Sequence, residues 1–204
     1  MAKAQGRRVR RTVEESRQAI LEIAERYLAA EGPNGVKVQR IAADLGMTDA
    51  AIHYHFGNRD GLLQALLRFS GRRFVTELEQ AVASGRTEDL DLASAARLLS
   101  DLYDRRGTAR LAMWLMLSGW SPTGEGMLLP LAEWLHAART RRAHSAGRAA
   151  PSREDSQKLI ALLAAVTFAQ ALSGDAHLRS AGLADLPADD FLDWLADRLE
   201  SDQT

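Results

Sequence analysis

The sequence predicts an all-α protein, and three observations carry that expectation. Apolar residues recur at helical spacing along most of the chain, strand-type alternation is absent over any useful length, and the interruptions fall on glycine, proline or good N-capping residues. The helices divide into a three-helix N-terminal unit with helix-turn-helix character and a larger helical body.

The elements follow in order. Residues 13–31 place Ile20, Ile23, Ala24, Tyr27 and Leu28 on one stripe. Thr12-Val13-Glu14-Glu15 has the form of a capping box that starts this helix, and Gly32-Pro33 ends it. A short second helix carries Val38, Ile41, Ala42 and Leu45 and stops at Gly46. A third starts at Thr48, a good N-cap, and buries Ile52 and Phe56. After Gly57-Asn58 a long fourth helix presents Leu63, Leu66, Leu67, Ser70 and Phe74. Further helices are expected near 88–104, 107–119, 124–146, 153–178 and 188–201, with breaks at Gly85, Gly107, Pro122, Pro151 and Gly182 to Pro187.

Composition narrows the class of molecule. Of 204 residues, 46% are hydrophobic and 26% charged, which suits a folded domain rather than a disordered chain. There is no cysteine, so neither a disulfide framework nor a thiolate metal site can form. No uninterrupted apolar run reaches the roughly 20 residues of a membrane span, and no apolar signal core follows the N-terminal arginines. A cytoplasmic protein with no membrane partner is expected. The net charge is −1, but it is unevenly placed. Lys3, Arg7, Arg8, Arg10 and Arg11 form a basic arm over residues 1–12, before an acidic body. Such an arm is either a solvated tail or a grip on an anionic polymer.

The tight turn Leu45-Gly46-Met47-Thr48 joins two short helices in helix-turn-helix fashion, an arrangement whose second helix enters the DNA major groove. With Ile52 and Phe56 turned inward, the third helix shows Asp49, Ala50, His53 and Tyr54 outward. Small Ala50 and Ala51 allow close approach to base edges, and His53, Tyr54 and His55 offer donors.

Residues 27–63 resemble the N-terminal domain of the tetracycline-repressor (TetR) family. Ile41-Ala42-Ala43-Asp44-Leu45-Gly46-Met47-Thr48 follows the family's IA-x-x-x-G-V-S pattern, with Met for Val and Thr for Ser. Ile52-His53-Tyr54-His55-Phe56 follows L-Y-x-H-F, and Gly57 to Leu63 follows the segment after it, with Arg59 where lysine is usual. The resemblance implies phosphate contacts from Thr48, His53, His55 and Arg59, and groove contacts from Gln39, Asp49, Ala50, Ala51 and Tyr54. Two readings stand at two positions. Asp49 caps the third helix or reads a cytosine amine, the cap being preferred because phosphate repels a carboxylate. His55 is a packed residue or a phosphate donor. The arm (Arg7, Arg8, Arg10, Arg11) would then enter a minor groove.

Expectations for the body also rest on the resemblance. Met113, Trp114, Leu117, Trp120, Met127, Trp134 and Phe168 would line a cavity for a small hydrophobic or aromatic ligand, against the plainer reading that each is core. The segment 111–117 is apolar all round and should be buried on all sides. The helix at 153–178 has two dry faces, one for its own core and one for a partner. Leu159, Leu162, Leu163 and Val166, with Phe191, Trp194 and Leu195 of the last helix, would pair across a two-fold axis in a homodimer. The whole points to a sequence-specific DNA-binding transcriptional regulator, a repressor released from double-stranded operator DNA by its ligand. The alternative is a helical protein-interaction module with a non-functional head.

An enzyme is not expected, nor a cofactor. His53 and His55 sit two apart on a helix and cannot face one metal, and His136 and His144 lack an acidic companion. No phosphate loop, nucleophile elbow or triad pattern is present. The domains expected are the arm (1–12), the head (13–60) and the ligand-binding, dimerising body (61–204).

Overall fold

A computed structural model describes residues 12–84, 90–121 and 125–201. The arginines of the basic arm, at 7, 8, 10 and 11, lie outside the described residues.

The described chain is helical throughout. Helices α1 (Val13–Glu31), α2 (Val38–Leu45), α3 (Asp49–Phe56) and α4 (Arg59–Ala83) come first, with one 3₁₀ turn at Pro33–Gly35. They are followed by α5 (Leu92–Ser100), a π-helical turn (Asp101–Arg105), α6 (Thr108–Leu117), α7 (Leu129–Ser145), α8 (Arg153–Ser173), α9 (Ala176–Ser180) and α10 (Ala188–Ser201). The expected single helix at 153–178 is two, because Gly174 takes φ 53° and turns the chain between α8 and α9.

Local chemistry explains the starts. Thr12 Oγ1 accepts from Glu15 N at 3.1 Å while Thr12 N donates to Glu15 Oε2 at 2.7 Å, the reciprocal capping box expected of α1. Asn58 caps α4 through Gly61 N at 2.8 Å, and Ser152 caps α8 through Asp155 N.

Two apolar cores share α4. The head core takes Ile20, Leu28, Ile41, Ile52, Phe56, Leu62, Leu63, Leu66 and Phe69, together with Leu111 and Leu115 of α6. The body core begins at Phe74 and Leu78 and is built from α5, α7, α8 and α10. The head core thus draws on α4 as far as Phe69 and on α6 as well.

Helix α6 corrects the expectation of burial on all sides. Its inward face is Leu111 and Leu115, whereas Met116 is 39% and Leu117 82% exposed. It packs along α4 as the head's outer wall. Among the described helices, α8 is long and apolar enough by length and composition to cross a bilayer, at a mean hydropathy of 1.2. Here Leu159, Ile160 and Leu163 of α8 enter the body core.

Candidate nucleic-acid interface

The head is assembled so that one face of α3 stays outside. Gly46 closes α2 at φ 60°, a left-handed position, and Met47 N donates to Ala42 O at 2.9 Å. That turn delivers Thr48 as the N-cap of α3, its Oγ1 accepting from Ala51 N at 3.2 Å. Thr48 is exposed, and its hydroxyl can still donate one hydrogen bond. Ile52 and Phe56 lock α3 into the head core.

On the open side, Ala50 and His53 are exposed and Tyr54 is 79% exposed. Asp49, Ala51 and His55 are half-buried. Gln39 on α2 is exposed and belongs to the same two-helix unit. Asp49 stands at the first position of α3, where a carboxylate offsets the helix dipole. His53 Nδ1 lies 3.2 Å from Gly57 O, an arrangement that suits an Nδ1–H donor. Nε2 then accepts in the neutral ring and donates only in the imidazolium. The rings of Tyr54 and His55 meet edge to face, with centroids 5.5 Å apart.

Arg59, expected at a phosphate, makes its bonds here within the head. Its Nε donates to Val36 O at 3.1 Å, its Nη2 donates to Pro33 O at 2.5 Å, and the guanidinium lies 5.1 Å from the Trp114 ring centroid. A planar fork satisfies Pro33 O of the 3₁₀ turn and Val36 O just after it at once. Arg59 thereby ties the base of α4 to that turn and to α6.

Three supports were not anticipated from sequence. Arg17 of α1 donates to His55 O at 2.6 Å and lies 4.4 Å over the Phe56 ring, so it closes the C-terminal end of α3. Tyr27 OH donates to Asp44 Oδ2 at 2.8 Å, and Arg40 covers the Tyr27 ring while pairing with Glu31. Lys37, exposed at the N-cap position of α2, adds a cation beside Gln39. Arg17 and its acceptor are 38 residues apart, so no local pattern announces the pair.

The residues expected around a ligand are spread over different parts of the molecule. Trp114 and Trp120 pack against the head core and Trp134 against the body core. Phe168 meets Tyr103 edge to face, with centroids 5.4 Å apart. Leu117 points outward, and Met127, 40% exposed, lies against Gly71 of α4. Met113 is half-buried on α6. Two other cavities carry charged side chains in their walls. One of about 1000 Å³ opens between the ends of α7 and α10, lined by Arg139, Arg142, Asp155 and Glu200 among others. Another of about 300 Å³ lies between the π turn, α6, the end of α8 and the start of α10.

The outward face of α8 and α10 is narrower than expected. Leu159 and Leu163, 7% and 0% exposed, belong to the chain's own core and are removed from the partner face. Leu162 and Trp194 remain, 43% and 53% exposed, with Phe191 stacked on Trp194. Val166 and Leu195 are half-buried at its edge. Among the described residues no group of three His, Asp or Glu side chains is placed to hold a metal ion.

Comparison with known proteins agrees with this geometry. Residues 20–66 match the family model described as bacterial regulatory proteins, tetR family. The HTH-type transcriptional repressor AcnR of Corynebacterium glutamicum is 41% identical over 58 residues, which are 28% of this chain and 31% of AcnR. The match thus spans about a third of that relative's length. Two solved structures share the fold over nearly the whole length. One is described as the molecular basis for control of antibiotic production by a bacterial hormone; it is 23% identical, with a TM-score of 0.58 over 93% of this chain and 97% of that one. The other, from Rhodococcus sp. RHA1, is described as of unknown function and is 20% identical, with a TM-score of 0.54 over 96% and 97%. Over residues 20–66, this chain is thus similar to the N-terminal region of bacterial regulatory proteins of the tetR family.

Proposed function

We propose that the chain is a sequence-specific DNA-binding transcriptional regulator that works as a homodimer and acts as a repressor released by a small ligand. One observation carries the reading. A tyrosine 79% exposed stands on a short helix whose other face, cap and C-terminal end are all held by the head, beside exposed Ala50 and His53. A large aromatic costs hydration when left bare, and a groove-reading helix is the use for one so rigidly presented. Repression follows AcnR, whose name states it. A DNA reader of this kind works where the bacterial DNA is, in the cytoplasm.

In the dimer, Leu162 and Trp194 meet their two-fold copies, and the two α3 helices read half-sites about 34–36 Å apart. Ligand binding in the body changes that spacing through α4, which belongs to both cores. The test is a mobility shift of upstream DNA fragments across a salt series, with Tyr54→Ala alongside. A discrete, salt-sensitive complex on one fragment, lost in the variant, is expected. Equal retention of all fragments by both proteins would favour a protein-interaction module instead.

A further inference from the structure

The 300 Å³ cavity is not the aromatic chamber that sequence suggests, and its acceptors say what it holds. Asp104 of the π turn and Asp175 after α8 both line it, against one guanidinium, Arg110 of α6. The last turn of α8, Ala171-Leu172-Ser173, also lines it and carries no basic side chain. The negative end of α8 therefore faces the cavity without a cation of its own. Arg110 supplies one from α6: its Nη2 donates to Asp104 Oδ1 at 2.6 Å and its Nε reaches Ala171 O at 3.4 Å. In the same wall, the Nε2 of Gln170 is buried with no hydrogen-bond partner. A buried unpaired donor costs stability until an acceptor reaches it.

We propose that this cavity is the effector site and takes a small organic cation that also carries a carbonyl or hydroxyl oxygen. This rests on the regulator reading above and gives its ligand a chemistry. The cationic group takes the acceptors now held by Arg110, and the oxygen accepts from Gln170. The volume suits a molecule at the small end of ligand pockets.

Displacing Arg110 has a route to the head. Arg110 precedes Leu111, which lies with Leu115 in the head core, and Trp114 lies under Arg59 at the base of α4. The π turn that bears Asp104 also bears Asp101, which pairs with Arg106 at 2.9 Å. Arg106 pairs with Glu77 at 2.6 Å, Glu77 with Arg73, and Arg73 with Glu25 of α1. Freeing one side of the turn perturbs a line of ion pairs that ends in α1. A coupling of ordinary size changes DNA affinity about 5- to 150-fold.

The full-length protein is titrated calorimetrically, without DNA, with argininamide as the cationic probe and succinate as the anionic control. Saturable argininamide binding, no succinate binding, and weakening by roughly tenfold or more in Asp175→Asn and in Gln170→Leu are expected. Asp175 is exposed and caps nothing with its side chain, so Asp175→Asn keeps the fold. No saturable argininamide binding, or binding indifferent to both substitutions in protein of native helicity, overturns the site. A mobility shift with argininamide then separates the two readings. Binding that is lost in the variants yet leaves DNA affinity unchanged keeps the cation site but overturns its effector role. DNA binding absent in every condition strikes the regulator reading and leaves the calorimetric result standing.

Discussion

Arg59 donates to the carbonyls of Pro33, in the 3₁₀ turn, and of Val36, just after it, so it serves the fold, and its part in DNA binding is open to test. Arg59→Met should destabilise the protein by about 2 kcal/mol, the worth of charge-assisted bonds to a half-buried turn, read as a lower urea midpoint. Its log–log salt slope for DNA binding should stay near that of the parent. A phosphate contact would instead reduce the slope by about 0.9. Tyr54→Ala should do the opposite, leaving stability within about 0.5 kcal/mol because the ring is 79% exposed, while abolishing the specific complex. Gly107 is a third case. Its φ is 71° and a Cβ there would meet Leu28 O at 3.0 Å. Gly107→Ala should cost more than about 1 kcal/mol in thermal or urea unfolding, since both the backbone conformation and the close approach forbid the methyl.

At the scale of elements, α3 is eight residues long, and a helix that short is marginal by itself. Its stability comes from its borders: Thr48 at one end, Arg17 at the other, Ile52 and Phe56 beneath. Helix α4 joins head to body through Glu77. Burial opposes ionisation of the Glu77 carboxyl, but hydrogen bonds from Arg106 and Arg73 outweigh it and hold the pKa below the ordinary 4.5. A carboxyl lowered on folding contributes stability above its unfolded pKa, and that contribution is lost as pH falls through the folded value. Glu77→Gln should therefore weaken the protein at neutral pH and flatten the loss of stability below pH 4.5, seen by urea titrations at a series of pH values.

At the scale of the whole molecule, α8 decides whether the chain is complete by itself. One of its faces fills the body core with Leu159, Ile160 and Leu163, and another leaves Leu162 bare, as Trp194 is on α10. Leu162→Glu should yield a folded monomer by analytical ultracentrifugation, with helicity retained and specific DNA affinity lost. Leu163→Ala should instead lower stability by about 2–5 kcal/mol through a cavity in the core. If Leu162→Glu remained dimeric, the partner face would lie elsewhere.

The all-α class, the capping box at Thr12, the turn at Gly46 and the outward Tyr54 were legible in sequence. Each depends on residues within one or two helical turns of one another, so spacing and capping chemistry suffice to define it. What the tertiary structure alone decided involves partners far apart in the chain. Arg59 turns to Pro33 and Val36, Arg17 reaches His55, α6 joins the head core, and Leu159 and Leu163 leave the partner face for the interior. The same reason parts the residues that the sequence grouped around a ligand. Helical periodicity marks a tryptophan or methionine as apolar on one face, but which neighbouring helix covers that face depends on how helices pack. Packing here used Trp114 and Trp120 to join α6 and the head, and left a cavity walled by Asp104, Arg110 and Asp175 at the end of α8.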